Sequence, residues 1–244
     1  MRTIYKRYGK IVEITEVQKS PRKIRVSAPR ERRTVYGARR QDNIRRTRKI
    51  CVRRVLAALT TCGNPLLVTL TFAGDASDAA YANDSLRFFQ MRLRIKYRKA
   101  LSLFIPELSP KGRIHFHGLL FNVPLSLGDT RKGRRTLSYG EERKTRTLAK
   151  LWGEGYVDAV KTDGSGALAH YISKYITKGA GEIMFNAMRL LRISHGFPHE
   201  IIFRGSVAEG LARRYASKKP LREWSGENDF AGKVIRKTYE ADSE

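Results

Sequence analysis

The tightest constraint on this chain lies around Ser109-Pro110-Lys111-Gly112. Two apolar runs, Leu101 to Leu108 and Arg113 to Phe121, flank these residues and predict an antiparallel hairpin. Pro110 and Lys111 suit a type I turn. Gly112 suits the left-handed position of the bulge that closes a three-residue loop. Such a loop pairs residue 109 with 113, and therefore Glu107 with His115. A two-residue loop would pair Glu107 with Ile114 and turn it away; the Pro and Gly positions favour the longer loop. Because strand side chains alternate, His115 and His117 share one face while Ile114, Phe116 and Gly118 take the other. One carboxylate and two imidazoles are thus expected on one sheet face. That set suits Mg²⁺, Mn²⁺ or another divalent cation holding a phosphate oxygen. The competing reading makes the histidines half-buried polar residues contacting backbone or phosphate.

A second constellation is His170-Tyr171-Ile172-Ser173-Lys174-Tyr175-Ile176-Thr177-Lys178. A helix is expected over Gly164 to Lys178, with Leu168, Ile172 and Ile176 as its buried stripe. Tyr171 and Tyr175 are four apart, as are Lys174 and Lys178, so each pair lies along one face. A phenol is a weak nucleophile near neutral pH; neighbouring ammonium groups and a polarised phosphate would favour its attack. Two tyrosines one turn apart can act in succession, one making a covalent bond while another is resolved. Read as packing, the same pair is two core rings with wet hydroxyls.

Charge names the kind of partner. The 244 residues hold 49 Lys and Arg against 23 Asp and Glu, a formal +26. So large a surplus calls for a polyanion, with nucleic acid ahead of an acidic membrane surface. Half of it lies in the first 50 residues, which carry 17 Lys and Arg and 4 Asp and Glu. Residues 1–40 are read as a basic arm, mobile over Ser20 to Arg40, touching phosphates without reading sequence. The other reading of the arm is a solvated charged tail. Arg45 and Arg46 continue the basic surface on a helix that begins near Gln41. That helix buries Cys51, Val55, Ala58 and Cys62 and stops at Gly63-Asn64-Pro65. Two cysteines exclude a disulfide framework and, on their helical spacing, read as buried small residues. No apolar run is long enough to span a membrane, and the N-terminus has no apolar secretory core, so a cytoplasmic protein is expected.

The remaining elements alternate: a strand at Leu66 to Phe72, a helix at Ala79 to Lys99 and a loop at Pro124 to Arg135. A helix at Thr145 to Trp152 and a strand at Gly155 to Lys161 follow. Hairpins beside helices indicate α+β with a mostly antiparallel sheet. Residues 41–222 are taken as one domain with a helical C-terminal extension, and 223–244 as a charged tail.

Together these motifs resemble the HUH endonuclease superfamily, and within it the rolling-circle replication initiators. Leu67-Val68-Thr69-Leu70-Thr71-Phe72 looks like the first motif, Glu107 with Gly112 to Gly118 like the second, and Tyr171 to Lys178 like the third in its two-tyrosine form. Trp152-Gly153-x-Gly155-Tyr156-Val157 also resembles phage-type initiators. The resemblance spans roughly Leu66 to Lys178. It implies a five-stranded antiparallel sheet flanked by helices, with Glu107, His115 and His117 binding Mg²⁺ or Mn²⁺. By the same resemblance Tyr171 or Tyr175 attacks the scissile phosphate of single-stranded origin DNA, and Lys174 and Lys178 neutralise its charge. Thr69, Thr71, Arg113, Arg45 and Arg46 are expected to touch the DNA. The resemblance further implies a bacterial host that supplies helicase and polymerase. Gly128 and Gly133 are followed by Arg134-Arg135 rather than Lys and a hydroxyl residue, so no P-loop is expected. Relaxases place the tyrosine before the His-x-His strand and are disfavoured. A two-tyrosine transposase, or a basic nucleic-acid-binding protein without activity, are the competing readings.

Overall fold

The computed structural model describes residues 2–18, 36–74, 76–125, 147–177, 188–228 and 232–242, with backbone alone for 36–40. The expected loop from Pro124 falls outside the described residues from residue 126, as do the basic stretch 19–35 and Lys178. The chain divides into two compact units, Met1–Arg40 with His199–Glu244, and Gln41–Pro198.

In the unit 41–198, β3 (Leu66–Phe72), β4 (Leu101–Leu108), β5 (Ile114–Phe121), β6 (Gly155–Lys161) and β7 (Arg192–Ile193) form an antiparallel sheet of order β6-β3-β5-β4-β7. Alternation sets its faces. Leu66, Val68, Leu70 and Phe72 of β3 are buried, whereas Leu67, Thr69 and Thr71 are only partly so. The helices are α1 (Tyr36–Cys62), α2 (Ala79–Lys96), α3 (Thr147–Trp152) and α4 (Ala167–Ser173). One core joins Cys51, Val55 and Ala58 of α1, Leu86, Phe89 and Leu93 of α2, and Ile172 of α4 to the buried sheet positions. Trp152 is fully buried, with Phe72, Phe89 and Phe116 against it edge to face. Its indole nitrogen donates to the Thr71 carbonyl at 3.1 Å.

Two glycines permit close approach here. Gly118 lies against the Phe104 ring, where a Cβ would come within 2.3 Å. Gly155, at φ +153°, leaves no room for a Cβ beside the Ala73 nitrogen and the Thr71 carbonyl.

The other unit corrects two expectations. Residues 2–17 are not an arm but a hairpin, β1 (Arg2–Tyr8) and β2 (Ile11–Val17), turning at Gly9-Lys10. The last residues are not a tail: β9 (Arg222–Asn228) and β10 (Gly232–Glu240) form a second hairpin. With β8 (Ile201–Arg204) they make a five-stranded antiparallel sheet of order β8-β1-β2-β10-β9, and α5 (Ser206–Arg213) packs on β1. Val12, Ile14, Tyr5, Tyr239, Ala208 and Tyr215 build its small core. The physical reason is that β-branched and aromatic residues alternate with the charges of both terminal segments. Local charge density hid a strand period that pairing partners far away in sequence complete. The domain expected over 41–222 accordingly ends near residue 198.

Candidate active site

The turn after β4 has the three-residue form. Gly112 takes φ +73°, its N–H donates to the Ser109 carbonyl at 2.9 Å, and the Ser109 N–H donates to the Arg113 carbonyl at 2.9 Å. Glu107 therefore pairs with His115, as the register argument requires. Across four strands this face carries two rows, Glu107–His115–Thr71–Tyr156 and Ile105–His117–Thr69–Asp158.

The imidazoles are held through their Nδ1 atoms. His115 Nδ1 lies 3.3 Å from Thr71 Oγ1, and His117 Nδ1 lies 3.2 Å from Thr69 Oγ1. Thr69 and Thr71, expected to touch DNA, are thus positioned to orient the histidines. His117 Nε2 meets Glu107 Oε2 at 2.5 Å. Burial lowers the His115 pKa; the Glu107 carboxylate opposes that shift and Arg113 reinforces it.

The tyrosine segment lies against this face. The helix expected to run to residue 178 ends at Ser173, and a 3₁₀ turn covers Lys174–Ile176. Ser173 Oγ donates to the His170 carbonyl at 2.8 Å, the local competition that loosens α-helical bonding. Across this break the two hydroxyls meet: Tyr171 and Tyr175 Oη are 2.9 Å apart. The Tyr175 ring stacks on His117, centroids 3.9 Å apart and planes 16° from parallel. Tyr171 is more open, 44% exposed.

Electrostatics at Tyr175 run against the expected help from ammonium groups. Burial, then the hydrogen bond and charge of Tyr171, then the Glu107 carboxylate push its phenol well above the ordinary range. Lys174 is exposed on the 3₁₀ turn.

Arg113 is exposed at the hairpin turn, and Arg45 and Arg46 are exposed on α1. It is Arg48 that reaches the tyrosine segment, its Nε donating to Ser173 Oγ at 3.3 Å. Arg45 lies one turn before it, and Arg46 is carried to the far side by helical geometry. Sequence reasoning also missed Tyr156 and Asp158, which reach the same face from edge strand β6. Tyr156 is 54% exposed. The alternation of buried Val157 and Ala159 with these two residues was the available signal, but it is useful only once β6 is known to pair with β3.

Glu107, His115 and His117 supply donors that suit a divalent cation, and the threonine contacts can fix the tautomer that leaves Nε2 as ligand. Among the described residues no three such side chains stand in ligating geometry, because Glu107 and His117 meet each other. A cation would enter by replacing that contact. Among the described residues no helix is long and apolar enough to cross a membrane.

Residues 65–180 match a family model of replication-associated proteins of the ORF2 type, a little under half of the chain, which supports a role in replication. No curated protein and no solved structure gives a significant match.

Proposed function

We propose that this chain is a replication initiator that nicks and rejoins single-stranded origin DNA through a tyrosine nucleophile. The observation carrying this reading is the stacking of Tyr175 on His117, with Tyr171 hydrogen-bonded to Tyr175. A phenol pair beside two imidazoles and a carboxylate is what metal-assisted phosphoryl transfer to tyrosine requires. The replication-family match covers all of these residues.

In the proposed reaction a tyrosine Oη attacks the scissile phosphorus. The bond from Oη to phosphorus forms, and the bond from phosphorus to the 3′ oxygen breaks. The phenolic proton leaves through the neighbouring phenol or the Glu107–His117 pair, and the departing 3′ oxygen is protonated. A 5′-phosphotyrosine and a free 3′-hydroxyl result, and the hydroxyl primes synthesis. A divalent cation held by Glu107, His115 and His117 would supply Lewis-acid polarisation of the phosphate. The adjacent phenol is placed for a second transfer that rejoins the strand.

The test is a denaturing gel after incubation with origin-containing single-stranded DNA and Mn²⁺. A covalent adduct is expected for wild type. It should survive in at least one of Tyr171→Phe and Tyr175→Phe and vanish in the double variant. A double variant that still forms the adduct, or a wild type giving only a salt-sensitive mobility shift, refutes the proposal.

A further inference from the structure

The unit formed by the two termini contains a cleft that the nicking chemistry does not use. It has a volume of about 290 Å³ and is lined by Tyr5, Arg7, Ile201, Phe203, Leu211, Arg214, Tyr215 and Asp242. Three rings border it: Phe203 and Tyr215 stand 6.2 and 6.3 Å from the Tyr5 ring. Tyr5 and Tyr215 are buried, whereas Phe203 and Ile201 on strand β8 are 38% and 53% exposed. The floor is therefore rigid and the lip is apolar and open.

Polar groups converge on the same space. Arg7 and Arg214 bring two guanidinium groups against one carboxylate, Asp242, which Lys218 already engages. Both arginines lie close enough to Tyr5 for their charge to act on its phenol, although burial dominates there. The cleft thus offers aromatic faces, an apolar lip and a surplus of positive charge. A planar ring carrying one phosphate matches each of these: the ring stacks on an aromatic side chain and the phosphate takes a guanidinium fork. A triphosphate would bring more negative charge toward Asp242 than two guanidiniums match.

We infer that this cleft binds one nucleotide of a single DNA strand, its base against Phe203 and its phosphate toward Arg214. The chemistry is independent of nicking: nothing in it involves Tyr171, Tyr175 or the histidine pair.

Phe203→Trp in the full chain places a reporter at the exposed lip. Oligothymidylate and thymidine monophosphate should quench the added fluorescence saturably, relative to wild type. Arg214→Gln in the same background should weaken the monophosphate about tenfold, as loss of a charged phosphate contact predicts. A 5-bromodeoxyuridine oligonucleotide should photocrosslink to peptides of β1 or β8. Adduct formation at the active site should be unchanged by Phe203→Trp, so failure here and failure of the nicking reading are separately visible. The inference is overturned if the reporter stays unquenched while the chain binds the oligonucleotide. It is equally overturned if inorganic phosphate competes as well as the nucleotide, or if Arg214→Gln has no effect in a variant that melts like its parent.

Discussion

The imidazole of His117 is held on three sides: Tyr175 covers its face at 3.9 Å between centroids, Glu107 meets Nε2 at 2.5 Å, and Thr69 meets Nδ1 at 3.2 Å. One residue of β5 thereby joins the carboxylate of β4, the hydroxyl of β3 and the tyrosine segment. Ring position, tautomer and phenol position are coupled through it. Changes at His117 should consequently affect chemistry more than DNA affinity, which rests on Lys and Arg contacts to phosphates.

His117→Ala should abolish nicking while leaving most single-strand binding intact. Thr69→Val should be milder, weakening the apparent Mn²⁺ affinity about 10- to 100-fold, the usual cost of losing a partner behind a histidine ligand. Saturating Mn²⁺ should restore its rate. Cation titrations of nicking by the two variants check this, and a His117→Ala protein that nicks at ordinary cation levels contradicts it.

Tyr156 stands in the row with Thr71 and His115, about 10 Å from the latter at normal strand spacing. A base beside the scissile phosphate can stack on it. Tyr156→Ala should cost about 1–3 kcal/mol of single-strand affinity without changing the salt slope, and Tyr156→Trp should restore it. Arg113→Gln should instead reduce the slope by about one. Fluorescence binding isotherms at several salt concentrations distinguish the two effects.

Gly155→Ala would force a Cβ to within 2.4 Å of the Ala73 nitrogen. The turn from Trp152 into β6 cannot widen without disturbing the Ala73–Glu154 hydrogen bond at 2.8 Å. A loss of about 2–4 kcal/mol is expected, lowering Tm by roughly 5–15 °C. Calorimetry on the purified variant measures it, and an unchanged Tm would contradict the packing described.

Cys51 is fully buried on α1, and burial pushes its thiol up to about 12. The folded thiol titrates above the ordinary 9.0, so its neutral form favours the fold. This contribution is complete below pH 9.0 and fades as pH rises through about 12. At pH 8 an alkylating reagent should label Cys62, which is partly exposed, and spare Cys51 until the protein unfolds. Mass spectrometry of tryptic peptides would show both thiols reacting alike if α1 did not pack as described.

Local chemistry made the central hairpin legible. Pro110, Lys111 and Gly112 dictate a turn whose length fixes the register, and register alone puts Glu107 opposite His115. The helical spacing of Cys51, Val55 and Ala58 likewise sufficed to find the buried side of α1. Arg48 was invisible because its role depends on where α1 passes Ser173, a contact 125 residues away along the chain. The terminal hairpins were read as arm and tail because strands signal weakly until paired. β2 lies between β1 and β10, and the latter comes from the opposite end of the chain.

The sequence by itself determined which residues alternate, where the chain turns, and that two imidazoles and two phenols each share a face. These follow from strand and helix periodicity and from the conformational limits of Pro and Gly. Only the tertiary structure decided that the phenols lie on the imidazoles. The break at Ser173, the stacking of Tyr175 and the threonine contacts from β3 arise between segments that no local period relates. That proximity comes from packing α4 and three strands into one core, where burial and hydrogen bonding together select a single arrangement.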